Sequence, residues 1–175
     1  MKKIVLYIAI SLDGYIAGEN GELDWLEKFN DAKVIEKIEE FYKEIDTLIM
    51  GKGTYLKLID DIAKDNWPYT GKRCLVMTSD ITIKDERVEV IHEFKKSYIE
   101  SLRELGGKDI WLVGGGKTIE AFLEEGLIDE YIITVTPTIL GKGIPLFRGE
   151  GKQVDLLLKN VEILGDLVTL TYLNK

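Results

Sequence analysis

A three-layer α/β domain, built on a mainly parallel sheet with an antiparallel edge, is the fold class this sequence predicts. Three observations predict it. Apolar runs without alternation, such as residues 110–113, read as strands buried on both faces. Several of these runs pass through a glycine turn directly into a helical pattern, as βα units do. Near the C-terminus, residues 156–164 and 167–173 flank Gly165-Asp166, a two-residue hairpin signal with glycine first. At 175 residues the chain suits one domain spanning 1–175, large enough for a real core.

In chain order, residues 3–10 read as a buried central strand, and Ser11-Leu-Asp-Gly14 turns out of it. The loop that follows carries Leu23, Trp25, Leu26 and Phe29, apolar side chains suited to a lid or a pocket wall. Asp31 is a plausible N-cap for a helix whose stripe is Val34, Ile35, Ile38, Phe41, Tyr42 and Ile45. Residues 47–50 form a short strand, followed by Gly51-Lys-Gly-Thr54 and a helix to about Asp60. Residues 61–71 are a loop, and 72–77 a third strand ending in Thr78-Ser79-Asp80. A short strand at 88–91 leads to a helix carrying Tyr98, Ile99, Leu102 and Leu105, stopped by Gly106-Gly107. The strand at 110–113 then runs through Gly114-Gly-Gly-Lys-Thr118 into a helix stopped by Gly126. A strand at 130–135 and a glycine-rich loop at 141–147 precede the hairpin.

Composition excludes several function classes. A net charge of −8 argues against general nucleic-acid binding, which needs basic surface. No apolar run reaches the roughly 20 residues of a membrane span, so a cytoplasmic protein without membrane association is expected. One cysteine, Cys74, and one histidine, His92, leave no basis for an internal disulfide or a Cys/His metal site. Cys74 reads as inert strand packing and His92 as a surface residue.

The chemistry concentrates where ligands gather in open α/β sheets, at the carboxyl ends of parallel strands. Gly51-Lys52-Gly53-Thr54, Thr78-Ser79 and Gly114-Gly115-Gly116-Lys117-Thr118 all stand at such ends. Glycines let a backbone approach a phosphate, and free helix N–H groups favour negative charge. Two familiar motifs fail here. A P-loop ending in Lys117-Thr118 needs glycine where Trp111 stands, and a dinucleotide fingerprint from Gly114 needs a small residue where Ile119 stands. Three such ends in one sheet predict an elongated anionic ligand. No acidic residue ends the second strand, whereas Lys52 and Ser79 suit a 2′-phosphate, which favours NADP(H).

Tyr7-Ile-Ala-Ile-Ser-Leu-Asp-Gly-Tyr-Ile-Ala17, Ile49-Met-Gly-Lys-Gly-Thr-Tyr55, Leu112-Val-Gly-Gly-Gly116 and Gly141-Lys-Gly-Ile-Pro-Leu-Phe147 occur in order along the chain. Together they resemble the dihydrofolate-reductase-like superfamily, in particular the group of the C-terminal reductase domain of bacterial riboflavin biosynthesis. The resemblance covers the chain from Ile4 to Tyr172. It implies a dihydrofolate-reductase-like fold, NADPH binding and a homodimer. By position, it implies that Thr54 caps a helix at the pyrophosphate and that Lys52 replaces an arginine near the 2′-phosphate. Thr78 and Ser79 would lie beside the adenosine phosphate, and residues 114–118 would form the pyrophosphate loop. Ala9 and Ile16 would contact the nicotinamide amide through their backbone, under a closing loop at 18–25. Two departures stand out: the folate-type carboxylate position falls near Asn30, with Asp31 adjacent, and Leu58 replaces the aspartate of the riboflavin-pathway reductase.

The expected activity is an NADPH-dependent reductase acting on a small planar heterocycle, pterin-like or pyrimidine-like. The substrate pocket is expected near Tyr7, Trp25 and Thr134, with proton donation from water, Asp24 or Asp31. A catalytically silent NADP(H)-binding protein is the alternative, and a structural dimerisation module a third reading.

Overall fold

The computed structural model describes residues 1–62, 66–80, 82–149, 151 and 153–175, without the side chains of 61 and 62. The predicted loop at 61–71 therefore lies partly outside the described residues.

Among the described residues, ten strands and four α-helices follow one another. They are β1 (Ile4–Ile10), β2 (Tyr15–Ala17), α1 (Ala32–Lys43), β3 (Ile45–Gly51), α2 (Lys52–Lys57), β4 (Arg73–Met77), β5 (Glu89–Ile91), α3 (Lys96–Glu104), β6 (Asp109–Gly114), α4 (Gly116–Glu124), β7 (Glu130–Val135), β8 (Ile144–Pro145), β9 (Leu156–Leu164) and β10 (Leu167–Asn174). Eight strands form one sheet in the order β5-β4-β3-β6-β1-β7-β10-β9. It is parallel from β5 to β7, and β10 and β9 close it antiparallel, as the sequence predicts.

Each face of the sheet has its own core, because alternate side chains of a strand point opposite ways. Ile4, Leu6, Ile110 and Leu112 meet Ile99, Leu102, Ile119 and Phe122 of α3 and α4. Leu48, Met50, Cys74 and Val76 meet Tyr55 and Leu58 on the other face, flanked by Trp67, Tyr69 and Trp111. Burial pushes the Cys74 thiol up to about 11, so it packs as an inert apolar group. His92 is exposed.

Several local expectations change. β6 is not buried on both faces: Ile110 and Leu112 are fully buried, while Trp111 and Val113 are half-covered on the α1 side. Ile45 begins β3 rather than ending α1, because Glu44 closes the helix and Ile45 is drawn into the sheet. Leu105 is exposed beyond the end of α3. The segment after α2 widens into a π-helical turn at Leu58–Ile62. The two loops at 15–17 and 144–145 pair as a second small sheet, invisible to a local reading because its strands are so short. The N-terminal lysines and Arg103 lock the opposite end of the sheet, with Arg103 gripping both oxygens of Asp129 at 2.7 and 2.8 Å.

Candidate active site

The carboxyl ends of β4, β3, β6, β1 and β7 are consecutive neighbours in the sheet, so the flagged turns share one rim. Four inter-strand steps of about 4.8 Å make that rim about 19 Å long, suited to a dinucleotide rather than one phosphate. Met50 pairs with Gly114 and Gly51 with Met77, which sets the Gly51 turn between the other two.

Two helices start side by side on this rim. Gly51 is the N-cap of α2 and Gly115 the N-cap of α4, and neither start carries a side-chain cap. The first-turn N–H groups of a helix have no intrahelical acceptor, so both starts offer donors and the positive end of a dipole. Thr54 and Thr118 hold the same helical position, three residues after each N-cap. Their hydroxyls cross over. A Cβ on Gly51 would lie 2.5 Å from Thr118 Oγ1, and one on Gly115 would lie 3.3 Å from Thr54 Oγ1. Glycine is thus required at 51 by close approach. Gly114 is required differently, by a φ of +112° that L side chains rarely adopt. The Gly114–Gly115 peptide is cis. Thr54 does not cap a helix, as the resemblance implied; it stands inside α2, and Gly51 takes the cap. Gly53 faces open space, and Lys117 is exposed at the start of α4.

The remaining flagged loops converge here too. Leu146 N donates to Gly14 O at 2.9 Å, and Asp13 accepts from Leu140 N and Gly141 N at 3.1 and 2.7 Å. Those contacts hold the 141–147 loop against Gly116, whose Cβ would sit 3.3 Å from Pro145 O. Arg148 follows, its Nε 3.8 Å from that same point, a cation that no sequence motif singles out. Ile16 is buried in β2 beside this corner.

At the other end of the rim Ala9 pairs with Thr134. Tyr7 lies two residues back on the same face and opens into a groove of about 350 Å³ between α1 and the sheet. Tyr7, Phe41, Lys37, Glu40, Thr134 and Glu162 are among its walls. The Tyr7 and Phe41 rings lie 4.4 Å apart, Phe41 meets Trp111 edge-on at 5.5 Å, and Trp111 Nε1 donates to Tyr7 O at 3.1 Å. Lys37 bridges Glu40 and Glu162 at 3.3 and 3.2 Å, tying α1 to β9. Burial, reinforced by Glu162, raises the Tyr7 phenol, which therefore stays a hydrogen-bond donor near neutral pH.

Three expected residues fall outside this groove. Asp31 caps α1, accepting from Lys33 N and Val34 N at 2.9 and 3.0 Å, so its carboxylate is committed to the helix. Asp24 is exposed on a 3-10 turn spanning Asp24–Phe29. Trp25 sits on the same turn, with Nε1 donating to Glu22 O at 3.3 Å, and does not line the groove. A fourth is placed but engaged: Lys52 Nζ contacts Asp80 Oδ2 at 2.5 Å. Ser79 is exposed and Thr78 accepts from Asp80 N at 3.0 Å.

Residues 66–170 match the RibD C-terminal domain. The chain belongs to that family. Among relatives of this RibD-type chain, the Bacillus subtilis protein YwjB, itself uncharacterized, is 40% identical over 98% of this chain and 97% of its own length. Dihydrofolate reductase of Staphylococcus aureus is 32% identical over 83% of this chain and 74% of that enzyme. A Shewanella sp. PV-4 structure, solved as that of a candidate riboflavin biosynthesis protein, superposes with a TM-score of 0.83 at 32% identity. It covers 100% of this chain and 99% of that one. The RibD-type chain therefore has the dihydrofolate-reductase-like fold, and its kinship supports a reductase-like function.

The rim has the features of an anion site. Close-approach glycines and paired uncapped helix starts bring free backbone N–H groups together along it.

Proposed function

We propose that this chain is a cytoplasmic NADPH-dependent reductase acting on a small planar heterocycle, pterin-like or pyrimidine-like. The observation that carries the reading is the crossed contact of the two glycine-capped helix starts beside an aromatic-walled groove. Bound NADPH would supply the hydride. Gly51, Gly53, Thr54 and residues 114–118 would hold its pyrophosphate, with Lys52, Thr78 and Ser79 at the adenosine end and the Ala9 and Ile16 backbone at the nicotinamide end.

The groove's own residues do the rest. Tyr7 and Phe41 present flat apolar walls to a ring. Tyr7 donates a hydrogen bond, while Glu40 and Glu162 accept from ring N–H groups. Alignment of this kind lowers a barrier by about 7–11 kcal/mol at best. With Asp24 and Asp31 outside the groove, protons come from water. Fluorescence titration with NADPH is the test. Saturable quenching is expected, and its absence up to millimolar nucleotide would sink the reading.

A catalytically silent NADP(H)-binding protein is the second reading, favoured by the capping role of Asp31. NADPH oxidation in the presence of a panel of pterins and pyrimidines separates the two.

We further propose that two copies associate through the exposed β9 side of the sheet face that β7, β10 and β9 share, where Ile133 of β7 is already buried. Leu170 pairs with Ile133 and Val161, and Val168 with Val135 and Ile163, so all six share one face. Ile163 is 72% exposed on an edge strand nine residues long. Val161 beside it is 49% exposed, and apolar side chains clustered in the open on one sheet face mark an interaction surface. A dimer is expected in sedimentation, and Ile163→Lys should shift it to monomer. A wild-type chain that stays monomeric at high concentration contradicts this.

A further inference from the structure

We propose that Asp80 sets the nucleotide preference of this rim, loosening its hold on a 2′-phosphorylated cofactor so that NADH is admitted beside NADPH. The proposal rests on the dinucleotide reading above and concerns only its adenosine end.

Gly51 pairs with Met77 at the end of the β3–β4 ladder, so Lys52 and the 78–80 turn face one another across neighbouring strand ends. Lys52 Nζ stands 2.5 Å from Asp80 Oδ2. The carboxylate is fixed from its other side, since Thr82 donates to Oδ1 through its amide at 2.8 Å and its hydroxyl at 2.6 Å. The Asp80 amide in turn donates to Thr78 Oγ1 at 3.0 Å. The acid is therefore part of the turn and not a passing surface contact. Lys52 and Asp80 remain 42% and 24% exposed, so a nucleotide can reach both.

One ammonium cannot serve two anions fully. A 2′-phosphate arriving at Lys52 finds it already neutralised, and meets the fixed negative charge of Asp80 close by. Lysine also lacks the fork with which arginine could hold carboxylate and phosphate together. The arginines flanking this turn in sequence do not compensate. Arg73 is paired to Glu89 at 2.7 Å, and Arg87 to Asp85 at 2.7 Å. A ribose diol reverses the balance, because its hydroxyls are donors and a preset carboxylate accepts them, as in NAD sites. The sheet order places this pair at β3 and β4, away from β1 and β7, so it bears on the nucleotide and not on the reacting ring.

The test is fluorescence titration of the full chain with NADPH and NADH, in wild type, Asp80→Asn and the Asp80→Asn/Lys52→Gln double variant. For wild type, the two dissociation constants are expected within about tenfold of each other, as one like charge at a solvent-exposed site implies. Asp80→Asn should tighten NADPH by about five- to fiftyfold while leaving NADH unchanged or weaker. The added Lys52→Gln change should cancel that gain. An NADPH:NADH ratio that Asp80→Asn leaves unchanged overturns the proposal, whether the two affinities hold or fall together. Failure of wild type to bind either nucleotide is a different result: it removes the reductase reading, and this proposal with it.

Discussion

Gly51→Ala is expected to weaken NADPH binding by at least about tenfold, or about 1.4 kcal/mol, and to destabilise the fold by about 1–3 kcal/mol. The added methyl would sit 2.5 Å from Thr118 Oγ1, closer than real contacts allow, with the next neighbours 3.8 Å away. The clash therefore has a single author, and removing it should restore the protein. Thr118→Ala in the same chain deletes that hydroxyl, so the double variant should recover most of the lost stability. The two substitutions would then be coupled by about 0.5–3 kcal/mol in a double-mutant cycle. Additive behaviour in chemical denaturation would show that the two helix starts do not touch as described. Nucleotide affinity in the double variant reads the other half of the idea, because both helix starts would again face the rim.

Phe122→Ala should give the largest loss of stability, about 3–5 kcal/mol. Phe122 is fully buried in α4, and its ring meets Phe94 at 5.4 Å. Truncating it leaves a cavity beneath the helix whose first turn includes Gly116 and Thr118. For a chain of this size, the loss corresponds to a drop in melting temperature on the order of 10 °C. Bound nucleotide stabilises whatever it binds, so an excess of NADPH should recover part of the drop. A loss below about 1 kcal/mol would mean that α4 is anchored elsewhere, since cavity formation alone exceeds that at a fully buried phenylalanine.

The parts of the fold that were legible in the sequence were those written in local chemistry. Asp31 was readable as an N-cap because capping joins a side chain to amides two and three residues away. The hairpin at Gly165-Asp166 was equally local. The same residue shows the limit: Asp31 also stood as a proton donor, and only the folded helix shows that its carboxylate is occupied. Phe41 read as one member of an apolar stripe, yet it walls the groove beside Tyr7. Lys37 and Glu162 gave no signal, since their contact joins α1 to a strand 125 positions later, and surface charges are common. Asp80 gives no signal for a similar reason: a carboxylate just past a strand is an ordinary turn residue until its neighbour across the ladder is known.

By itself, then, the sequence determined which of the longer segments become strands and helices and which of the turns between them are rich in glycine. Those outcomes depend on periodicity, capping and steric freedom within a few residues. Tertiary structure decided which strand ends become neighbours. That ordering set two threonines against two glycines, gave Lys52 a carboxylate partner and left Val161 and Ile163 of the last hairpin exposed. Strand order arises from packing the whole sheet between its helices, an energy spread over the entire chain that no short stretch of it encodes.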